Sequence, residues 1–287
     1  MPPAFSSPSP SPSLALSIVA PAHNEEDNVI PLVEQVHAAL APAHPDFEMI
    51  IVDDGSTDRT LERLRGLLPR FPFLRILKML DTPPGRGHGQ SAAFKAGFRA
   101  AQGRLIVVLD ADLQNDPADL PAMLRLMEET GADMVQGDRS HDRRDHFGRR
   151  VGSAVGRACR AWLLNDPIRD TGCSLRIMRR EVALAVPLEF RGMHRFIPVT
   201  ARELGYHVVE MPVRHRPRAA GQAKYGTFNR ALPGLFDTLA VRWMTSRRRP
   251  TEAVEVESLP QARAADAPSL PVVAVAPRAV EATGSSG

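Results

Sequence analysis

Between residues 14 and 137 the sequence alternates short apolar runs with longer segments of helical period, and few folds accommodate that alternation. The runs are LALSIVA (14–20), FEMIIV (47–52), FLRILKM (73–79), RLIVVLD (104–110) and ADMVQG (132–137). Between the first two, EDNVIPLVEQVHAAL (26–40) sets Val29, Leu32, Val33, Val36 and Leu40 on one helical face. TDRTLERLRGLL (57–68), GQSAAFKAGFRAA (89–101) and PADLPAMLRLMEET (117–130) also read as helices. Ser56 or Thr57 suits the cap of the first, and Pro117 suits the start of the last. Strands spaced by such helices form βαβ units, an α/β fold with a largely parallel sheet flanked by helices. RLIVVLD is apolar on both faces, which places it centrally, and Pro21 should end the first strand. Ligands of such sheets bind beyond the carboxyl ends of the strands. Residues 21–25, 53–56, 110–114 and 137–139 are therefore expected to meet in one crevice.

The second half is less regular. RRVGSAVGRACRAWLL (149–164) reads as a basic amphipathic helix, CSLRIM (173–178) as a strand, RFIPVTARELG (195–205) as a helix and HVVEMPV (207–213) as a strand. In 227–249, Phe228, Leu232, Leu235, Phe236, Leu239 and Trp243 recur at helical spacing before three closing arginines. That segment is either an amphipathic helix packed on the domain or a basic helix lying on a membrane surface. Pro233-Gly234 argues against its being unbroken. The Pro/Ser-rich residues 1–13 and the Ala/Pro/Val-rich residues 250–287 have no period to bury and are expected to be disordered. The folded domain is then 14–226, followed by the C-terminal segment 227–249.

Several functional classes are disfavoured. Cys159 and Cys173 are the only cysteines of the 287 residues, too few for a disulfide framework and without His/Cys clusters at zinc spacing. This fits a reducing cytoplasm. No signal peptide and no membrane-spanning helix is expected. Net charge is only +3, but residues 139–160 hold seven arginines against two aspartates. Arg214, Arg216, Arg218, Lys224 and Arg230 follow in a stretch with no acid. Such patches call for a local anionic partner. They lack aromatic interleaving, which argues against nucleic acid.

The acids at the strand ends carry the chemistry. VVLDADLQNDP (107–117) ends a buried strand on Asp110 and Asp112. On an extended backbone these point to one side, and two close carboxylates repel unless a cation or proton lies between them. A hard cation, Mg2+ or Mn2+, takes oxygen ligands and shares them with a diphosphate. A solvated acidic turn is the plain alternative. IVDDGSTDRT (51–60) repeats the device at Asp53 and Asp54, either as a capped turn or as a nucleotide contact. In APAHNEEDN (20–28), Asn24 and Glu25 stand at a strand end, where they could equally start a helix. GRGHGQSAAFKAG (85–97) is G-x-G-x-G after the third strand, not a dinucleotide fingerprint, and reads as a loop and helix beside the nucleotide.

SIVAPAHNEEDNV, IIVDDGSTDRT and VVLDADLQNDP together resemble the nucleotide-sugar-binding half of family 2 glycosyltransferases, inverting enzymes of the Rossmann-like GT-A fold. DTGCSLRIMRRE (170–181), RGMHRFIP (191–198) and HRPRAAGQAKYG (215–226) resemble the dolichol-phosphate mannosyltransferase-like branch, whose members transfer sugars to polyprenyl phosphates. The resemblance spans residues 14–245. It implies that Pro21, His23, Glu25 and Asp54, with Asp53 beside them, hold the nucleotide. His23 stands where many relatives carry tyrosine. The metal-binding D-x-D-x-Q falls on Asp110, Asp112 and Gln114, with Asp112 the direct ligand and Asp110 shared between metal and ribose. Asp116 is then a helix-start acid. Acceptor-phosphate contacts fall on Arg139, on Arg149 with Ser153, and on Arg216 or Arg218 with Lys224.

The implied reaction moves a hexose from a GDP- or UDP-linked donor to a lipid phosphate, an acceptor already anionic and needing no general base. The catalytic candidates are Asp112, Arg216 and Asp170. Asp170 would serve as base only for a hydroxyl acceptor such as a glycolipid or saccharide, and otherwise orders the site. The expected setting is the cytoplasmic side, peripheral on the inner membrane face through 227–249. A receiver-like signalling module, suggested by VDDG alone, would need neither the second acidic pair nor the HRPR loop. Sugar, base, acceptor length and oligomeric state are not legible.

Overall fold

The structure, a computed structural model, describes residues 14–83, 85–141, 160–216 and 228–249. The strands are β1 (Leu14–Ala22), β2 (Phe47–Asp53), β3 (Leu74–Lys78), β4 (Gly103–Val108), β5 (Met134–Asp138), β6 (Arg176–Arg179) and β7 (Val208–Pro212). The helices are α1 (Val29–Leu40), α2 (Thr60–Leu67), α3 (Gln90–Ala100), α4 (Leu120–Thr130), α5 (Arg180–Ala185), α6 (Ile197–Glu203) and α7 (Phe228–Arg247). Short 3-10 turns at Pro117–Asp119 and Met193–Phe196 lead into α4 and α6. The expected arm 1–13 and tail 250–287 lie outside the described residues, as does most of the basic helix expected over 149–164, which is described from Arg160 onward.

One seven-stranded sheet runs β3-β2-β1-β4-β6-β5-β7, with β4 at its centre as its two apolar faces predict. β6 alone is antiparallel, pairing with β4 on one side and β5 on the other. The chain winds outward from β1 through β2 to β3, then returns to lay β4 on the other side of β1. The loops after β1 and β4 diverge at that reversal, which opens a crevice at the carboxyl edge. One apolar cluster packs α1, α2 and α4 on one face of the sheet. A second cluster, around Phe94, Phe98, Val182, Ile197 and Val241, covers the other face with α3, α5, α6 and α7.

Several local expectations yield to tertiary contacts. β1 continues through Pro21, which is in register with Val52. Its pairing with β4 has ended at Val19, so the proline sits where the strand has one neighbour and its missing N–H costs no ladder bond. Neither Ser56 nor Thr57 caps α2, because both bind Asn24. Asp58 accepts from the Thr60 N–H at 2.9 Å and starts the helix three residues later than expected. β4 stops at Val108, and Ala111 and Asp112 lie in a turn, with Leu113 at φ 61°. The extended-strand geometry expected for Asp110 and Asp112 is therefore absent. α5 and the antiparallel direction of β6 had no separate signal. α7 passes through Pro233-Gly234 unbroken. One lost backbone bond near its start is offset by the buried seam of Thr238 and Val241.

α3 lies close against β1 and β2 because Gly97 presents no side chain to them. A Cβ there would overlap Val19 and stand 3.2 Å from Val52 Cγ2. Gly97→Ala is expected to lower unfolding stability by about 1–3 kcal/mol. Gly66→Ala, at an exposed helix site with nothing within 4 Å, should raise it by about 0.5–1 kcal/mol. Urea denaturation of the two variants checks the pair, and equal midpoints would contradict the close approach.

Candidate active site

The loops after β1 and β2 are zipped together. The Asp54 N–H donates to the Ala22 carbonyl at 2.9 Å. His23 Nδ1 lies 2.7 Å from the Asp54 carbonyl; that oxygen only accepts, so Nδ1 carries a proton. The Asn24 N–H donates to Ser56 Oγ at 3.0 Å, and the Thr57 N–H returns a bond to Asn24 Oδ1 at 2.7 Å. Asn24 takes φ 56° to make this exchange. The Glu25 N–H donates to Thr60 Oγ1, and the Glu25 carboxylate accepts from Asn28 Nδ2 at 2.7 Å. Four of the five nucleotide candidates, Pro21, His23, Asp53 and Asp54, thus lie along one seam at the carboxyl edge, with Glu25 at the start of the next turn.

Asp53 and Asp54 divide their work. Asp53 is buried and accepts the Ser56 N–H at 3.3 Å, closing the turn before α2. Asp54 is also buried, and its two oxygens accept the His88 and Gly89 N–H groups at 2.8 and 2.7 Å. This anchors the glycine-rich loop, which lies beside the seam. Gly87 has φ +64°, and any Cβ there would overlap the Asp54 carboxylate. Gln90, which follows Gly89, donates Nε2 to Asp110 Oδ1 at 2.9 Å. Residues 88–90 therefore bridge the carboxylates that follow β2 and β4.

Burial, and then the charge of Asp112, push the Asp110 carboxyl up to about 6, against a hydrogen bond from Ser174 and the positive fields of Arg139 and Arg176. Asp112 is buried and accepts the Gln114 N–H at 3.2 Å. Asp110 and Asp112 are close enough to perturb each other although the backbone between them is not extended. Two close carboxylates, Asp112 buried and Asp110 half-buried, gain from a hard cation between them, so the donor set fits Mg2+ or Mn2+. Among the described residues no third His, Cys, Asp or Glu completes a cluster, so further ligands would be amide, water or substrate oxygens.

The cationic side is equally ordered. Arg139 follows β5 and grips Asp170 in a fork, Nε to Oδ2 at 2.8 Å and Nη2 to Oδ1 at 3.2 Å. The Gly172 N–H also donates to Asp170 Oδ1. Burial alone would lower the Arg139 pKa, but the Asp170 bonds and charge raise it above the ordinary value. Arg176, at the start of β6, is buried and donates to the carbonyls of His194 and Cys173. Its antiparallel strand brings this residue to the same carboxyl edge, and burial pushes its pKa down to about 10. Gln90, Ser174 and Arg176 are not among the candidates that the sequence indicates. Ser174 and Arg176 lie within the DTGCSLR motif, which was the available signal.

Arg216 is placed differently from Arg139. Its Nη2 lies 2.6 Å from Asp116 Oδ2, and its Nη1 donates to Gln35 at 2.7 Å. Asp116 does start a helical turn, accepting the Ala118 N–H at 3.0 Å, but it carries Arg214 and Arg216 as well. Arg149, Ser153, Arg218 and Lys224 lie outside the described residues.

His194 joins this region through Ser91, whose Oγ is 3.0 Å from Nδ1 and accepts the His194 N–H at 3.1 Å. Burial first, then Arg195 and Arg176, lower its pKa to about 3. The folded state favours the neutral ring, so its stabilising contribution is complete above about pH 6.5 and is lost as pH falls towards 3. At pH 5 the loss should be about 1–2 kcal/mol. His194→Gln should flatten the stability profile between pH 7 and 4; an unchanged slope would refute the assignment.

Known proteins resemble this chain in sequence and in fold. The family model Glycosyl transferase family 2 matches residues 17–185. A dodecaprenyl-phosphate galacturonate synthase from Rhizobium johnstonii is 38% identical over 242 residues, 83% of this chain and 70% of that protein. An undecaprenyl-phosphate 4-deoxy-4-formamido-L-arabinose transferase from Edwardsiella ictaluri is 35% identical over 211 residues, 74% of this chain and 63% of that protein's length, a little under two thirds. Among solved structures, glucosyl-3-phosphoglycerate synthase from Mycobacterium tuberculosis, determined with UDP and Mn2+, superposes with TM-score 0.58 at 22% identity, covering 80% of each chain. A mannosyltransferase from Pyrobaculum calidifontis, determined with GDP-Man and Mn2+, gives TM-score 0.53 at 16% identity over 84% of this chain and 79% of that one. The sheet order and these superpositions make the fold GT-A. With the family model spanning more than half of the chain and a relative at 38% identity, the chain belongs to glycosyl transferase family 2 and is a glycosyltransferase.

Proposed function

We propose that the protein transfers a hexose from a nucleotide diphosphate sugar, GDP- or UDP-linked, to a polyprenyl phosphate, with inversion at the anomeric carbon. The observation that carries this is the pairing at one sheet edge of an acidic group, Asp110 and Asp112, with a braced cation, Arg139. Two anionic substrates need such a pairing. The relatives named for dodecaprenyl and undecaprenyl phosphate support the acceptor class.

The seam formed by Pro21, His23, Asp53 and Asp54, with Glu25 at the following turn and the 88–90 bridge, shapes the nucleotide seat. Mg2+ or Mn2+ held by Asp110 and Asp112, with Gln114 adjacent, would supply charge neutralisation for the departing nucleotide diphosphate. Asp170 keeps the Arg139 guanidinium in one orientation through a fork that uses Nε and Nη2. Arg149, Ser153, Arg216, Arg218 and Lys224 are the remaining candidates for gathering the acceptor. The acceptor phosphate is already ionised, so its oxygen attacks the anomeric carbon without a base. The bond from that carbon to the diphosphate breaks, and its electron pair leaves with the diphosphate. A hydroxyl acceptor would require Asp170 as base, and a carboxylate gripped by Arg139 on both oxygens is a weak one. That favours the phosphate acceptor.

Peripheral attachment to the inner, cytoplasmic membrane face is part of the proposal. Among the described residues no helix is long and apolar enough to cross a membrane. α7 turns Thr238 and Val241 inward, while Leu235, Phe236, Leu239 and Trp243 are exposed. Arg242 and Arg247 flank them on exposed positions of the same helix. The side chains of Phe228 and Leu232 lie outside the described residues. An apolar face bordered by arginines suits an anionic lipid surface.

A panel of UDP- and GDP-sugars, assayed with and without polyprenyl phosphate, should reveal transfer only to the lipid phosphate. Asp110→Ala and Asp112→Ala should each reduce it about a hundredfold or more, and excess EDTA should abolish it until Mn2+ or Mg2+ is restored. Full activity in either variant, or in EDTA, would reject the metal assignment. In a separate test, the protein should float with vesicles containing anionic lipid, and Trp243→Glu should release it; indifference to both lipid charge and Trp243 would reject the membrane surface.

A further inference from the structure

We propose that Asp116 is a positioning residue for the acceptor side of the site, holding Arg216 and Arg214 as one unit with the turn that carries the D-x-D-x-Q residues. The inference rests on the polyprenyl-phosphate reading above.

A helix-start acid needs one oxygen for its cap, and Asp116 Oδ1 meets that need with the Ala118 N–H. Oδ2 is committed elsewhere, 2.6 Å from Arg216 Nη2 and 3.3 Å from Arg214 Nη1. The acid is buried while both arginines are partly exposed, so the carboxylate requires their charge more than they require its own. Neighbouring groups lock the arrangement. Gln35 of α1 accepts from Arg216 Nη1 at 2.7 Å. Asp119 accepts the Arg214 N–H at 2.8 Å and Arg214 Nε at 2.9 Å. The Arg216 N–H donates to the Gln114 carbonyl at 2.9 Å, and Asn115 and His215 form an antiparallel bridge.

The same turn reaches the donor side. Asn115 Nδ2 donates to Ser174 Oγ at 2.7 Å, and Ser174 hydrogen-bonds Asp110. A continuous path therefore runs from Asp110 through Ser174 and Asn115 to the backbone at 215–216, with Asp116 clamping the guanidinium ends. Arg216 is oriented by this clamp as Arg139 is by Asp170. Its place in the site is thus set by an acid on the donor loop rather than by its own strand.

Asp116→Asn keeps an oxygen for the Ala118 cap and removes the charge that the arginines share. In the full-length protein, the Arg214 and Arg216 amides should exchange hydrogen faster than in the wild type. KM for polyprenyl phosphate should rise about tenfold, while donor KM and kcat stay near wild type. Gln35→Ala, which removes only the second Arg216 contact, should shift the acceptor KM in the same direction by less. It also supplies the same readouts if Asp116→Asn folds poorly. Unchanged exchange at 214–216 overturns the clamp, and a parallel loss in donor KM or a loss confined to kcat overturns its positioning role. If the wild-type protein does not transfer to polyprenyl phosphate, the functional reading fails, and the exchange data still decide whether the clamp exists.

Discussion

Burying carboxylates at one edge of a sheet is the constraint on which the rest of this structure depends. Asp53, Asp54, Asp112, Asp116, Asp119, Asp138 and Asp170 are all buried there. A buried carboxylate must be hydrogen-bonded or paired, since its desolvation is otherwise too costly. Asp53, Asp112 and Asp138 accept N–H groups of their own turns, while Asp54, Asp116, Asp119 and Asp170 take partners from other loops and tie those loops together. Asp54 binds the backbone of residues 88 and 89, Asp170 binds Arg139, and Asp119 binds Arg214. These bonds cross-link the loops that line the carboxyl edge.

Asp110 is the exception. Its hydrogen bonds from Gln90 and Ser174 do not offset burial beside Asp112, and its pKa stands well above the ordinary carboxylate value. A site whose other acids are locally compensated leaves one place where added positive charge stabilises the protein most. That contrast distinguishes a candidate cation site from structural acids of the same residue type, and the D-x-D spacing alone does not provide it.

The arginines show the complementary logic. Arg139, Arg214 and Arg216 are each oriented by an aspartate from another element, so the positive groups are aimed before any substrate arrives. Under the proposed phosphate-acceptor reading, Asp170 as an orienting partner and Asp116 as a clamp take part in anion recognition, although neither need touch an anion.

The sequence by itself determined the α/β class, the central place of β4 and the carboxyl-edge position of the acidic motifs. These follow from apolar period and strand-end location, which are local properties. The motif resemblance likewise named the family. Tertiary structure decided the rest. β1 runs through Pro21 because β4 pairing has already ended, and α2 starts late because Asn24 claims Ser56 and Thr57. β6 is antiparallel, which carries Arg176 to the crevice, and no periodicity encodes strand direction. Asp116 is the helix-start acid that its place before Pro117 implies, but its other partners, Arg214 and Arg216, are remote in sequence and no local pattern names them. What a buried charge is paired with depends on which loops the fold brings together, and that information lies in the packing rather than in any short stretch of chain.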